Sequence, residues 1–197
     1  MKDLYKHAIV LTGGIATGKS TVSKLLQKKG FVIIDADKVA HEMLDAQADA
    51  IAEMFGDAYV KEGRVDRKAL GGIIFSKPDN RAKLEALLHP LIQAEIAQQA
   101  TLLEEKKMPY IIDIPLFFES QNYEIEKVAL VYAPLKIQRE RLMKRDGLSE
   151  EEANHRINAQ LSIEKKKAMS AFVVDNSHDL AYLDAEVDAL IAYINED

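Results

Sequence analysis

The sequence predicts an α/β protein: a parallel β-sheet with covering helices, from which two helical stretches depart. Three observations carry this. Short apolar runs of strand length alternate with segments whose apolar residues recur at helical spacing, the pattern of a parallel sheet. A glycine-rich segment sits at the first junction between such a run and a helix. Two stretches, about 38–107 and 136–168, have helical periodicity and no convincing strand.

The elements follow in order. The first strand is expected over His7–Leu11. A helix beginning near Lys19 places Val22, Leu25 and Leu26 on one face and stops at Gly30. A second strand, Phe31–Ile34, runs into Asp35-Ala36-Asp37. In the long stretch that follows, Pro78 suits a helix start, and Pro90 is expected to split one apolar run (Leu84, Leu87, Leu88, then Leu91, Ile92) into two helices. Three more strands are expected at Tyr110–Ile114, Val128–Tyr132 and Phe172–Asp175. Between the last two lies a charged helical hairpin. Its second helix opens after the Asp146-Gly147 turn with Ser149 and Glu152, the spacing of a capping box. The closing helix carries Leu180, Leu183, Val187, Leu190, Ile191 and Ile194 as a core-facing stripe.

With 197 residues there is room for one good-sized core, or for one core bearing a small inserted subdomain. The expected division is a core of about 1–37, 108–135 and 169–197, a helical excursion of about 38–107, and a second of about 136–168. The apolar content of 48% is that of a globular protein rather than a disordered one. The longest apolar runs, such as Ala8–Leu11 and Tyr110–Ile112, are far short of a membrane span. No signal-peptide pattern opens the chain, so a cytoplasmic location is expected. The absence of cysteine excludes a disulfide framework, a thiolate metal site and a thiol nucleophile, and it suits a reducing compartment. A net charge of −6 argues against a general nucleic-acid binder. Lys136, Arg139, Arg141, Lys144 and Arg145 nevertheless cluster, with Lys165, Lys166 and Lys167 nearby. Such a patch fits either a small polyanionic ligand or a solvated helix face. A monomer or small homo-oligomer without membrane or nucleic-acid partners is the expectation.

Gly13-Gly14-Ile15-Ala16-Thr17-Gly18-Lys19-Ser20 matches G-x-x-x-x-G-K-[ST] in full, between a strand and an amphipathic helix. Glycines in such a P-loop let backbone N–H groups converge on phosphate oxygens, and the helix N-terminus adds a favourable dipole. Lys19 would reach the β- and γ-phosphates of a nucleoside triphosphate, the Ser20 hydroxyl would ligate Mg²⁺, and Thr21 would add a hydroxyl on the α-phosphate side. The segment Asn176-Ser177-His178-Asp179 lacks the lysine of a guanine-reading motif, which weighs against a GTP switch.

Asp35 and Asp37 follow the second strand, and the carboxyl ends of parallel strands are where ligands gather. Either carboxylate could orient an attacking hydroxyl, and either could simply cap the next helix. His89, before Pro90, is a polar ring at the expected helix break. Asp113 ends the third long strand as a metal-side carboxylate would. Phe117 and Phe118 fit a core or a pocket equally. Gln138, Arg141 and Arg145 share one helix face, as Arg156 and Gln160 do one helix later. Two arginine-bearing helices around a glycine turn fit a cationic lid, or a salt-bridged hairpin fed by Glu140, Glu150, Glu151 and Glu152.

These residues together resemble the dephospho-CoA kinase family. The matching segments are Leu11-Thr12-Gly13-Gly14-Ile15 with Gly18-Lys19-Ser20-Thr21, then Asp35-Ala36-Asp37, Leu88-His89-Pro90-Leu91-Ile92 and Pro115-Leu116-Phe117-Phe118-Glu119. They continue through Gln138, Arg141-Leu142, Arg145, Arg156-Ile157, Gln160 and Asp175-Asn176, and so cover nearly the whole chain in order. The resemblance implies a three-layer P-loop NTPase fold with a five-stranded parallel core, an inserted helical CoA-binding subdomain and a helical lid. It implies ATP and 3′-dephospho-CoA as substrates, with Mg²⁺. It also implies Asp37 as the base or orienter of the acceptor hydroxyl with Asp35 in support, and Arg145 and Arg141 as lid residues. His89, Glu119, Arg156 and Gln160 fall on the substrate side, and Asn176 falls near the adenine.

The chain departs from the family pattern in three places. Ala16-Thr17 stands where the family often has Gly-Ser, His41 where many relatives carry arginine, and Ala171 where aspartate is usual. Three rivals keep the P-loop: another small-molecule kinase, a nucleotide-dependent regulatory protein that transfers nothing, and a structural P-loop relic that binds no ATP.

Overall fold

The computed structural model describes residues 4–120 and 122–196, the Phe75 side chain excepted. Strand β1 (Ala8–Gly13) is buried at all six positions, as a central parallel strand must be. It reaches two residues further than expected, into the first glycine of the P-loop. Helix α1 (Lys19–Lys28) buries Val22 and Leu26. It ends in a Schellman arrangement: Gly30 has φ 95, its N–H bonds the Gln27 carbonyl, and the Phe31 N–H bonds that of Leu26.

Strand β2 (Ile33–Asp35) is shorter and later than expected, because Asp35 already caps helix α2 (Ala36–Ala46) by accepting from the Lys38 N–H at 3.0 Å. The Asp35-Ala36-Asp37 segment is therefore a helix start, with Asp37 in the first turn, rather than an extended strand end.

The chain splits into two compact units, Asp35–Gln99 forming the second. After α2 it comprises α3 (Ala48–Phe55), the hairpin strands β3 (Val60–Lys61) and β4 (Arg64–Val65), α4 (Arg67–Ser76) and most of α5 (Pro78–Glu104). Its own core gathers Ile51, Val65, Leu70 and Ile74.

Two expectations fail in this unit. The antiparallel β3–β4 hairpin interrupts the helical stretch, turning through Glu62 (φ 51) and Gly63 (φ 74). Pro90 does not divide α5, which runs unbroken past it. Ala86, whose carbonyl loses its N–H partner to the proline, is exposed, as are His89 and Pro90, so water can satisfy the freed group.

The first unit resumes at Ala100 and holds β5 (Tyr110–Asp113), α6 (Phe117–Ser120), β6 (Val128–Tyr132), α7 (Leu135–Asp146), α8 (Glu150–Asn158), α9 (Ile163–Met169), β7 (Phe172–Asp175) and α10 (Leu180–Asn195). The charged hairpin thus has three helices rather than two. The Ser149–Glu152 capping box opens α8 as expected.

The sheet order is β2-β5-β1-β6-β7. Strand β1 pairs in parallel with β5 (Leu11 opposite Asp113) and with β6 (Gly13 opposite Val131), while β6 pairs with β7. These registers bring Gly13 and Asp113 to the carboxyl ends of neighbouring strands, which positions the site.

Helices α1 and α10 pack Val22, Leu26, Leu183, Val187 and Leu190 against Ile9, Leu11, Ile111, Val131 and Val174. Each such buried side chain contributes roughly 1.5–3 kcal/mol. Leu180, expected in this stripe, is 72% exposed at the first position of α10, so the core-facing row begins at Leu183. At the opposite end of the strands, Glu104 accepts from the His7 N–H (2.9 Å) and from the Tyr110 hydroxyl (2.9 Å), and it pairs with His7 Nδ1 (2.6 Å).

Candidate active site

An anion cradle needs N–H groups facing in and carbonyl oxygens facing out, and the P-loop holds three of its carbonyls, those of Gly13, Gly14 and Thr17, by donors of its own chain. The Gly13 carbonyl accepts from Lys166 Nζ at 2.9 Å. The Gly14 carbonyl accepts from the Thr17 N–H (3.2 Å) and Thr17 Oγ1 (2.9 Å). The Thr17 carbonyl accepts from Asn176 Nδ2 at 2.8 Å, with Arg141 Nη1 at 3.5 Å. Gly18 at φ 92 makes the final turn into α1, where the Thr21 N–H bonds its carbonyl at 2.9 Å.

Ala16, at the position where the family often has glycine, takes φ 60. It therefore holds a left-handed conformation that costs an L-residue about 1–2 kcal/mol and glycine nothing.

Lys19 is ion-paired with Asp113, whose other oxygen accepts from Ser23 Oγ at 2.7 Å. Asp113 is buried at the end of β5, so this pair holds the ammonium group at the carboxyl edge of the sheet. Ser20 is exposed and Thr21 half-buried on the first turn of α1. The Ile15 N–H donates to Gln160 Oε1 at 2.8 Å.

The arginine-bearing helices do two different things. On α7, Gln138 is buried and donates to the Ala133 carbonyl (2.7 Å), and Arg141 donates to the Asn176 carbonyl (2.9 Å), so this face is docked on the loop and on the end of β7. Arg145 instead grips Asp146 through two bonds of 2.7 and 3.1 Å, and Arg156 of α8 reaches the same carboxylate at 3.0 Å. The Arg145 bond holds the Asp146 carboxyl below the usual aspartate range, and Asp146 in turn raises the Arg145 guanidinium. The Asp146 carboxylate thus gathers the two cations before any phosphate does.

Glu119, on α6, pairs with Lys166 at 2.7 Å and accepts from the Leu161 N–H at 3.0 Å. Glu119 and Gln160, expected on the substrate side, are thus both engaged within the first unit, around the P-loop. Phe117 is buried in the core and stacks edge-on with Phe118 at 5.4 Å. In the second unit Asp35 is a helix cap, Asp37 lies in the first turn of α2, and His89 is exposed on α5 rather than at a helix break.

An open pocket of about 740 Å³ adjoins the loop, lined by Gly18, Thr21, Arg141, Asn176, His178 and Leu180 among others. Its floor is Asn176, which both bonds the Thr17 carbonyl and leaves no room for a side chain at Gly18.

Lys166 is the site residue that sequence reasoning missed. Three consecutive lysines look like a solvated face, and only burial distinguishes the middle one. Ser23 was missed as well, although it lies one helical turn after Lys19 and could have been read from that spacing.

The family model described as dephospho-CoA kinase matches residues 7–181. A dephospho-CoA kinase of Wolinella succinogenes is 48% identical over 199 residues, covering 100% of this chain and 98% of that protein. One from Helicobacter pylori J99 is 42% identical, covering 95% and 97%. Among solved structures, a Thermus thermophilus protein superposes with a TM-score of 0.80 at 34% identity, covering 94% and 96%. The dephospho-CoA kinase of Campylobacter jejuni superposes with a TM-score of 0.72 at 34% identity, covering 95% and 97%. With its P-loop, its parallel sheet and relatives matched from end to end, the chain belongs to the dephospho-CoA kinase family.

Proposed function

We propose that the protein transfers the γ-phosphoryl group of ATP to the 3′-hydroxyl of dephospho-CoA, giving CoA and ADP. The observation that carries the reading is the cradle: a loop whose Gly13, Gly14 and Thr17 carbonyls are each taken by a donor, with an ammonium group beside it. Phosphoryl transfer asks little covalent chemistry of a protein and much positioning and charge neutralisation.

Lys19 exchanges Asp113 for the β- and γ-phosphates when nucleotide binds, and the pocket beside Asn176 takes the adenosine. Arg141 already stands between the Thr17 and Asn176 carbonyls, where it can meet the phosphates. Arg145 and Arg156 trade Asp146 for phosphate oxygens as the lid residues close. That exchange keeps the guanidiniums paired in both states and excludes water during transfer. Asp37 orients the acceptor hydroxyl and takes its proton as the bond to phosphorus forms, with Asp35 in support and His89 on the substrate side.

The oxygen donors Ser20 and Asp113 suit Mg²⁺, a hard cation that shares substrate phosphates. Bound there, Mg²⁺ would neutralise charge on the β- and γ-phosphates. The residues 35–99 form the acceptor-binding subdomain, α7–α9 supply the lid, and the site of action is the cytoplasm.

A coupled assay of ADP release, run with and without dephospho-CoA, tests the reading. ADP release strictly dependent on dephospho-CoA is expected. Equal turnover with a nucleoside monophosphate or another metabolite, or ATP binding with no transfer to any acceptor, would overturn it.

A further inference from the structure

Lys166 has no exposed surface, yet its side chain ends in an amine with hydrogen-bond donors to satisfy. Burying an ammonium group is costly unless it is paired and hydrogen-bonded, so its partners indicate what it is for. They are the Glu119 carboxylate at 2.7 Å and the carbonyl of Gly13, the first P-loop residue, at 2.9 Å. Lys166 reaches them from α9, whose Ser162 cap and the adjoining Gln160 fix its approach. Glu119 is held in turn by the Leu161 N–H.

We infer that Lys166 is a positioning residue for the nucleotide: its ammonium turns the first carbonyl of the P-loop out of the cradle and so sets the frame for the N–H groups beyond it. Peptide groups are planar and trans, so fixing the Gly13 carbonyl fixes the direction of the Gly14 N–H on its far side. From Gly14 the loop is folded on itself by Thr17, and a β-carbon at Gly13 would fall 2.7 Å from Thr17 Oγ1. A rotation of the first peptide would therefore be transmitted to Thr17 and Gly18 rather than absorbed.

An outward Gly13 carbonyl also removes a negative dipole from the neighbourhood of the phosphates. Glu119 stabilises the cation that does this. The pair is thus more than a salt bridge between two elements, since one of its members is spent on the loop. Lys166 acts through the loop backbone rather than by touching the nucleotide.

The inference rests on the reading that this loop binds ATP. Its test is steady-state kinetics of the full chain as wild type, Lys166→Met and Lys166→Arg. ATP and dephospho-CoA are varied separately, and dephospho-CoA binding is measured by calorimetry. For Lys166→Met an ATP KM raised more than tenfold is expected, with kcat within about threefold of wild type and dephospho-CoA affinity within about twofold. Lys166→Arg, which keeps donors and charge, should recover most of the ATP KM.

A Lys166→Met protein that binds dephospho-CoA normally and has an ATP KM within twofold of wild type would overturn the inference. So would a fall in kcat shared equally by both variants with no change in ATP KM, the signature of a merely structural lysine. Should Lys166→Met not fold, Lys166→Gln, whose shorter amide falls short of the Gly13 carbonyl, is read against the same limits. Failure of both to fold would count against a role in positioning. Wild-type protein without any ATP turnover would strike the underlying reading instead.

Discussion

The side-chain amide of Asn176 occupies the space that a β-carbon on Gly18 would need, and Gly18 itself sits at φ 92. Gly18→Ala therefore meets two penalties at once, a strained backbone and a displaced amide. Together they should cost about 2–4 kcal/mol and lower the melting temperature by roughly 5–15 °C. Displacing Asn176 also frees the Thr17 carbonyl, so ATP affinity should fall more than tenfold. A variant that melts with wild type and binds ATP normally would show that the Asn176–Gly18 packing is not what holds the loop.

Lys19→Met should reduce kcat about a thousandfold or more, the loss expected when a preorganised charge partner of the transferring group is removed. It also leaves the buried Asp113 with the Ser23 hydroxyl, at 2.7 Å, but without its cation. A loss of about 1–3 kcal/mol in stability should accompany it, measurable by denaturant titration. Dephospho-CoA affinity should not change. Turnover within tenfold of wild type would remove Lys19 from the chemistry.

Asp37→Asn keeps the size and the helix position but cannot accept a proton. We expect kcat to fall about 10²–10³-fold while the Kd for dephospho-CoA changes less than threefold. The opposite pattern, a weakened Kd with kcat preserved, would make Asp37 a substrate holder only. Asp35→Asn serves as comparison. Asparagine is also a good helix cap, so that variant should keep α2 and lose less rate.

Asp146 offers a pH-dependent reading. Its carboxyl is held below the ordinary aspartate range, chiefly by Arg145. A depressed folded-state pKa means the unfolded chain takes up its proton first as pH falls, so the stabilisation is present above the ordinary value of about 3.9. It is lost as pH drops through Asp146's own lower value. Wild type should therefore melt above Asp146→Asn at neutral pH, with the two curves merging in acid. The gap should narrow in high salt, because the groups are near solvent. A gap independent of pH would assign the difference to packing.

Much of this was legible in the sequence, for a physical reason that can be named. The P-loop is a local device, built from consecutive residues between a strand and a helix, so its pattern survives in one dimension. Strands Val128–Tyr132 and Phe172–Asp175 were read to the residue: the first is a buried, unbroken apolar run, and the second, half-buried at the sheet edge, is a short apolar run ended by Asp175.

The β3–β4 hairpin was not legible. Its strands have two residues each, and its turn pairs Glu62, rather than asparagine or aspartate, with Gly63. Pro90 misled because a proline breaks a helix only where its lost hydrogen bond cannot be replaced, and exposure decides that. Lys166 was invisible because burial depends on what the rest of the chain places around it. Asp146, the shared anchor of Arg145 and Arg156, was read as a turn residue, since nothing in the spacing reveals a carboxylate shared by two helices.

The register of the central strand bears on how the chain is born. Ala8 of β1 sits opposite Tyr110, and Val10 opposite Val128, so both neighbours of the first strand are made long after it. At ~5–20 residues per second on the ribosome, the nascent β1 waits on the order of ten seconds with both edges open. Sequence-distant pairing of this kind slows folding, and an unpaired apolar edge invites wrong partners. The segment around Ala8–Leu11 is thus the place where a chaperone would be expected to hold the unfinished chain, and the strand synthesised first waits longest for its partners.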